Sequence, residues 1–417
     1  MASDAPGSLS PATVMLLAAT CGLLIANLYF VQPIAALVIR DFGLPLRAAG
    51  ILAALPLGGY GLGLLLAVPL GDTLENRRLI LAMTAAEAVI LLLLWLANSA
   101  AVFLGLSLFA GLAASAIQVI LPYASRFFTG AAQGRVVAQL VSGVMFGILV
   151  ARPVSSFIAQ TGSWRAIYLI AAGLSIAAVG LLALTLPPRR PEARQTYLRL
   201  LGSMAGLYRG SELLQRRALY QSALFGAFIS FWTSAPLWLA RAPFKLSQGG
   251  IAWVALAGVA GALAPPFATR LVDRGLGRTI TLGAMVLAIA AFGVSLLGAR
   301  IGVAAVVAAA VLLDVAASTS LVVGQRAVYS TPPQLRGRRT ALFISTFFAA
   351  GAVASSLAAW CFVSFGWTGV AALGSALPFA ALLYGLTERS SSEPGPLRKS
   401  APPTPRNHGR RPGSSRA

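Results

Sequence analysis

The feature that most limits how this chain can fold is a repeated pattern of long apolar stretches separated by short charged gaps. A helix needs about 20 apolar residues to cross a bilayer, and roughly twelve stretches meet that length. Six predicted spans come first, at residues 12–37, 48–70, 79–97, 101–124, 136–159 and 165–186. Six more follow, at residues 218–240, 249–271, 279–298, 302–325, 340–364 and 366–386. We therefore expect an all-α membrane protein with 12 transmembrane helices.

These spans divide into two sets of six. The gap between the sets opens with Pro187 and Pro188, which stop a helix. The predicted organisation is a cytoplasmic N-terminus, an N-terminal six-helix half, a central cytoplasmic loop, a C-terminal six-helix half and a disordered basic tail. Their bounds are 1–11, 12–186, 187–217, 218–386 and 387–417.

A charged turn occurs once in each set, at the same place. Asp72 follows the second span, and Asp273 follows the eighth, 201 positions later. A turn that returns after about half of the chain indicates two copies of one membrane unit.

The charge distribution indicates a membrane setting and an orientation. Charged residues make up 10% of the chain, against about 25% in soluble domains. The net charge of +21 comes from basic residues in short gaps and in the tail, which is typical of cytoplasmic loops and argues against nucleic-acid binding. We therefore expect both termini in the cytoplasm.

These features together resemble the major facilitator superfamily over roughly residues 12–386. The stretches ANLYFVQP at 26–33 and GSWR at 162–165 are similar to its bacterial branch of drug- and sugar-efflux-like permeases, as is the region from Asp314 to Gly369. The resemblance implies a secondary transporter with alternating access that exports a small organic compound in exchange for protons. It also implies a conformational latch on the two charged turns, formed by Gly71, Asp72, Arg77, Arg78, Asp273, Arg274 and Arg278.

The fifth span carries two further candidates. Gly143 and Gly147 are four residues apart, which lets another helix approach closely, and Pro153 bends the span. This pattern resembles a glycine and proline motif of proton-coupled exporters. An arginine in a membrane helix costs about 2.5–3.5 kcal/mol, so we expect Arg152 to face a cavity or to reach toward the outer surface.

Two acidic residues within spans are the candidates for proton coupling. Asp314 lies near the middle of the tenth span, and Glu87 lies nearer the cytoplasmic end of the third. A carboxyl group in the membrane can alternate between protonated and ionised forms, which proton coupling requires. The resemblance favours Asp314, because the tenth span lines the cavity in this superfamily and the third is peripheral.

Other polar side chains within spans are candidates for a substrate cavity suited to a small amphipathic or neutral polar compound. With Arg152, the predicted set is Asn27, Tyr29, Gln32, Gln118, Trp232 and Gln325. Hydrogen bonds between helices are the alternative role for such residues.

Rival functions find less support in the sequence. A membrane-embedded enzyme needs clustered acids or a nucleophilic constellation, and the acidic residues within spans stand alone. No phosphate-binding loop or metal-ligand spacing is present, so we expect no cofactor and no metal. Uptake instead of export, and a sensor with the same fold, remain open. We expect a monomer whose partners are its small-molecule substrate, protons and the lipid bilayer.

Overall fold

All regular elements of the described chain are helices. The computed structural model describes residues 9–191, 196–330 and 333–388. Over these residues the predicted all-α fold is confirmed. Most of the predicted N-terminus (1–11) and tail (387–417) lies outside the described residues.

The first half of the chain forms eight helices, which are α1 Pro11–Ala26, α2 Val31–Asp41, α3 Ala48–Gly71, α4 Asn76–Leu96, α5 Ala100–Ala114, α6 Ile117–Ser125, α7 Gly130–Thr161 and α8 Ala166–Thr185. The rest of the described chain forms α9 Tyr197–Arg209, α10 Glu212–Leu239, α11 Gln248–Gly258, α12 Ala264–Asp273, α13 Gly277–Leu296, α14 Gly298–Ile301, α15 Val303–Tyr329 and α16 Pro333–Leu386. A 3-10 turn, Val259–Leu263, joins α11 to α12.

The helices account for the predicted number of spans. Ten helical stretches of the described chain are long and apolar enough to cross a membrane, and the bent pair α1 and α2 adds an eleventh. Helix α16 has 54 residues, or about 80 Å at 1.5 Å per residue, which is more than twice the core thickness of a bilayer. It is broken at Gly366, whose φ of 66° is a conformation that favours glycine. Its two parts therefore supply the eleventh and twelfth spans.

Two other spans are broken for reasons that lie in their sequences. The first span bends by 43° between α1 and α2, just before Pro33. The eighth span tightens into the 3-10 turn just before Pro265 and Pro266. Proline has no N–H group and clashes with the preceding turn, so an α-helix cannot continue regularly through it.

The two halves meet closely at one end of the bundle, called here the far end, where α3 begins and α7 ends. Ser355 Oγ donates to the Gly50 carbonyl oxygen at 3.0 Å. Ser156 Oγ donates to the Gln248 carbonyl oxygen at 2.8 Å. These hydrogen bonds join α3 to α16 and α7 to α11, and they close the far end.

The opposite end, called here the basic end, carries the charged turns and α9. This helix contacts both halves, because Arg338 Nη1 donates to Ser203 Oγ at 2.9 Å and Tyr197 Oη donates to the Leu66 carbonyl oxygen at 3.5 Å. The central segment is therefore packed against the bundle over α9.

Candidate functional site

A cavity of about 180 Å³ lies between the two halves near the middle of the bundle. Its wall is mostly apolar and aromatic, which is typical of sites for small organic ligands. The polar side chains that line it are Tyr29, Tyr60, Gln118, Arg152, Gln221, Asp314, Ser318 and Gln325.

Arg152 of α7 is 4% exposed and faces this cavity. Its Nε donates to Gln32 Oε1 at 2.8 Å. The guanidinium group also lies 4.8–4.9 Å from the ring centres of Tyr29, Phe228 and Trp232. Aromatic faces attract a cation at these distances, and the attraction increases where water is excluded. Arg152 thus faces a cavity, which was the first of the two predicted positions, and it does not reach toward the outer surface.

Asp314 of α15 lies in the same cavity. Trp232 Nε1 donates to Asp314 Oδ1 at 3.2 Å. The broken eighth span covers the carboxyl group with glycines: a Cβ atom on Gly258 would lie 2.9 Å from Asp314 Oδ2, and one on Gly261 would lie 2.5 Å from Asp314 Cβ. The acid is therefore enclosed by an element that has no side chains at the point of contact.

The predicted cavity residues divide into three groups. Tyr29, Gln118, Arg152 and Gln325 line the cavity. Gln32 and Trp232 lie behind the wall, where they hold Arg152 and Asp314. Asn27 is the exception, because it faces away from the cavity.

Asn27 instead pairs with Glu87, the second candidate for proton coupling. Its Nδ2 donates to Glu87 Oε1, and Glu87 is 0% exposed. The other two oxygens of the pair, Asn27 Oδ1 and Glu87 Oε2, are buried and have no hydrogen-bond partner among the described residues. Glu87 thus joins α4 to the bend of the first span and does not line the cavity.

A second cavity, of about 500 Å³, opens at the basic end. It shares the lining residues Gln118 and Leu121 with the central cavity, so the two cavities are adjacent. Its wall is basic, with Arg126, Arg189, Arg336 and Arg338 against Asp72. The bundle therefore has a cavity at the basic end and direct contacts between its halves at the far end.

Two residues of the first predicted latch, Gly71 and Asp72, line this second cavity. Gly71 accepts a hydrogen bond from Asn76 Nδ2 at 2.6 Å, Arg77 Nη2 donates to the Ala183 carbonyl oxygen at 2.6 Å, and Arg78 pairs with Glu75. Burial raises the pKa of the Asp72 carboxyl, and nearby guanidinium groups, chiefly that of Arg338, act in the opposite direction.

The second latch has a similar arrangement. Arg278 Nη2 donates to the Leu386 carbonyl oxygen at 3.3 Å, at the end of the twelfth span, as Arg77 does at the end of the sixth. Asp273 forms an ion pair with Arg326. Arg274 lies in the turn, where its N–H donates to the Leu271 carbonyl oxygen.

The glycines of the fifth span are at a close helix contact. A Cβ atom on Gly143 would lie 2.2 Å from the Ala18 carbonyl oxygen, and one on Gly147 would lie 2.0 Å from the Gly22 carbonyl oxygen. These residues let α7 pack against α1 backbone to backbone. Pro153 lies inside α7, which continues to Thr161.

Sequence reasoning missed a buried ion pair and an aromatic wall. Arg217 Nη2 and Glu388 Oε1 are 3.1 Å apart, and their side chains are only 5% and 6% exposed. The feature of the sequence that could have revealed this pair is Glu388, an acid two residues beyond the last predicted span and within the predicted tail. The rings in the cavity wall, on Tyr60, Phe225, Phe228, Phe347 and Phe348, look in sequence like ordinary membrane-facing residues.

Among the residues that the structure describes, no group of three or more His, Cys, Asp or Glu could hold a metal ion.

Comparisons with known proteins agree with this architecture. The family model of the Major Facilitator Superfamily matches residues 15–299 and 218–413. The chain is 32% identical to the "Uncharacterized transporter YgaY" of Escherichia coli O157:H7 over 376 residues, which is 90% of this chain and 95% of that protein. It is 31% identical to the "Probable transporter SCO4007" of Streptomyces coelicolor over 353 residues, 84% of this chain and 81% of that one.

A solved structure has the same fold at low sequence identity. The crystal structure of the nucleoside transporter NupG superposes with a TM-score of 0.73 at 14% identity, covering 89% of this chain and 99% of NupG. At that identity the likeness extends to the fold alone.

Proposed function

Because this chain belongs to the major facilitator superfamily, we propose that it is a proton-coupled secondary transporter of the bacterial drug- and sugar-efflux-like branch. It is a multi-pass membrane protein of transporter type. The finer proposal is that it exports a small organic compound by alternating access and that protons flow inward in exchange.

The observation that carries this proposal is the position of Asp314. The acid lies in the central cavity, bonded to Trp232, and its charge interacts with that of Arg152. A proton that binds there changes the charge of the cavity into which a substrate enters. One charge moved through 100 mV supplies about 2.3 kcal/mol, which biases a two-state cycle by more than tenfold.

The proposed topology follows from the basic loops. With the basic end in the cytoplasm, both termini are cytoplasmic, and residues 12–186 and 218–386 form the two halves that move relative to each other. The cavity at the basic end, together with the contacts that join the halves at the far end, then corresponds to an inward-facing state. We propose an inner-membrane monomer that needs no cofactor, metal or nucleic acid.

The latch residues fit this cycle. Asp72 and Arg338 belong to different halves, and their charges interact across the cavity at the basic end. Closing that end brings the halves together there, so contacts of this kind can form in one state and break in the other. The packing of Gly143 and Gly147 against α1 supports the resemblance to exporters.

The test is proton movement in proteoliposomes, followed with a pH-sensitive dye against a panel of amphipathic drugs and sugars. Wild type is compared with Asp314→Asn and Glu87→Gln, which replace each buried acid by its closest neutral analogue. We expect a substrate-dependent proton signal that Asp314→Asn abolishes and Glu87→Gln keeps.

Other results would change the assignment. A signal lost only in Glu87→Gln would move the coupling site to the third span. Substrate flux without a proton signal in any of the three proteins would replace coupled export by facilitated diffusion. A proton signal in the same direction as the substrate would indicate co-transport, as expected for uptake.

A further inference from the structure

The central cavity is lined by two buried side chains that each have an unused hydrogen-bonding atom. Arg152 Nη2 is a donor and Gln221 Oε1 is an acceptor, and neither has a partner among the described residues. Both side chains are at most 4% exposed. Each of these atoms exposes less than 1 Å² of surface, so a rotation of the Arg152 or Gln221 side chain brings it to a ligand that supplies one acceptor and one donor. Such a ligand would satisfy two buried polar atoms that otherwise have no partner.

The cavity is also balanced in charge. Its charged side chains among the described residues are one cation, Arg152, and one acid, Asp314. An organic anion would be attracted by Arg152 and repelled by ionised Asp314, and the reverse holds for an organic cation. Coulomb interactions are strong where water is excluded, so a ligand without net charge that has both a donor and an acceptor fits this pair best.

The size and wall of the cavity favour an aromatic ring. A cavity of about 150 Å³ is large enough to bind benzene, and this one has about 180 Å³. One part of its wall consists of Phe225, Phe347 and Phe348, whose ring centres are all 5.0 Å apart. Aromatic rings in contact are worth about 0.5–1.5 kcal/mol beyond the area that they bury.

We infer that the substrate is an uncharged, planar aromatic compound that presents an acceptor to Arg152 and an N–H or O–H donor to Asp314 and Gln221. This inference rests on the proposed transport function and narrows its substrate class. The ring lies against the phenylalanine wall, and its polar substituents face the charged pair.

In this arrangement the substrate and the proton compete for the carboxylate group of Asp314. A donor on the substrate binds ionised Asp314, whereas a proton on Asp314 removes that acceptor. The groups packed on Asp314 are Trp232 from α10 and the glycines of α11 and the 3-10 turn, and Arg152 from α7 lines the same cavity. Because Arg152 supplies the charge and the others are neutral, Asp314 is the group that exchanges the proton.

The test is binding of four matched compounds to the full chain in detergent, by equilibrium dialysis with labelled benzamide and unlabelled competitors. Benzamide has a donor and an acceptor, acetophenone has the same size with the acceptor only, and benzoate and benzylamine carry opposite charges. A hydrogen bond to a charged group is worth at least about 1.5 kcal/mol. We therefore expect acetophenone to bind about tenfold more weakly than benzamide, and both charged compounds to bind more weakly as well.

Two variants test whether Asp314 and Gln221 cause the difference in binding between benzamide and acetophenone. Asp314→Asn and Gln221→Leu should each narrow the gap between benzamide and acetophenone, and benzamide binding to wild type in weak buffer should release protons. Equal binding of benzamide and acetophenone, preference for benzoate or benzylamine, or no binding by any of the four would overturn the inference.

The outcome is separable from that of the proposed function. Proton-coupled flux of a charged compound, with no benzamide binding, would leave the transport proposal standing and remove this substrate class. If the four compounds bound in the expected order but no proton-coupled flux occurred, the ligand class would stand and the transport proposal would fall.

Discussion

Asp314 and Arg152 are charged side chains whose placement within a membrane bundle needs a physical reason. Each costs about 2.5–3.5 kcal/mol at the centre of a membrane helix. In this chain they share one cavity, and each has further polar or aromatic contacts through Trp232, Tyr29 and Gln32. The contacts reduce the cost of burial and also fix both groups where a ligand can reach them.

The pairing of Glu87 with Asn27 leads to the first prediction. A protonated Glu87 can donate from Oε2 to Asn27 Oδ1 while Asn27 Nδ2 donates to Oε1, and then neither oxygen is left without a partner. Glutamine offers the same two hydrogen bonds, so we expect Glu87→Gln to keep the stability of wild type. Glu87→Leu leaves the Asn27 amide unpaired and should lower the free energy of unfolding by about 1–3 kcal/mol. Unfolding in detergent, followed by intrinsic fluorescence, measures both.

The glutamine variant is the decisive comparison. If Glu87→Gln destabilised the protein as much as Glu87→Leu does, the carboxyl group would be ionised in the folded state and the paired arrangement would be wrong.

At the scale of residues, the sequence predicted which charged side chains lie in the cavity, but it placed Asn27 there wrongly. Arg152 and Asp314 were identified because a charge within an apolar span is unusual in itself. Asn27 was assigned to the cavity because it lies close in sequence to Tyr29 and Gln32. The bend between α1 and α2 turns Asn27 toward α4 instead, and helical periodicity does not extend across such a break.

At the scale of helices, the contact of α1 with α7 depends on glycine. This contact gives the second prediction: Gly147→Ala forces the two helices apart, because its Cβ would lie 2.0 Å from a backbone oxygen of Gly22. We expect a loss of stability of about 1–3 kcal/mol or more and a loss of transport. Thermal unfolding of the purified protein measures the first effect.

Gly134 provides the matched control on the same helix. A Cβ atom there would meet nothing within 4 Å, so Gly134→Ala should leave stability unchanged or raise it, as alanine favours a helix. Equal losses in both variants would mean that the contact with α1 does not explain the effect, because Gly134 has no such contact.

Spacing in the sequence predicted that Gly143 and Gly147 form a packing surface, but it could not identify the partner. Gly22 carries no distinguishing signal, because small residues are frequent throughout the first span. The two prolines at 265 and 266 are a sequence feature from which a break in the eighth span could be deduced. The position of this break over Asp314 depends on how distant helices pack. Such contacts between distant helices cannot be deduced from a single sequence.

For the whole molecule, the closed far end and the open basic end yield the third prediction. In a background with Cys21→Ala and Cys361→Ala, the pair Ser156→Cys and Gln248→Cys joins α7 to α11 where the halves touch. A short thiol cross-linker should hold the far end closed. We expect transport in proteoliposomes to stop on cross-linking and to return when a cleavable linker is reduced.

Each single cysteine variant, treated with the same reagent, is the control and should transport normally. Undiminished transport by the cross-linked double variant would show that the far end does not open during the cycle, and alternating access at this contact would be excluded.

For the whole molecule, the duplication of the chain could be predicted from the sequence, whereas the conformational state of the transporter could not. Arg77 and Arg278 are 201 positions apart, and each binds the last turn of a half. The sequence contains that symmetry. It does not specify that Asp273 is paired with Arg326 while Asp72 lies on an open cavity wall, because both states of a transporter share one sequence.

The buried pair of Arg217 and Glu388 has a consequence for the order of synthesis. The two residues are 171 positions apart, so a ribosome adding about 5–20 residues per second makes the acid roughly 9–34 s after the arginine. During that interval, Arg217 has no carboxylate from residue 388 to neutralise it. The ion pair that joins the start of the seventh span to the chain just beyond the twelfth therefore forms only after translation of the C-terminal half is almost complete.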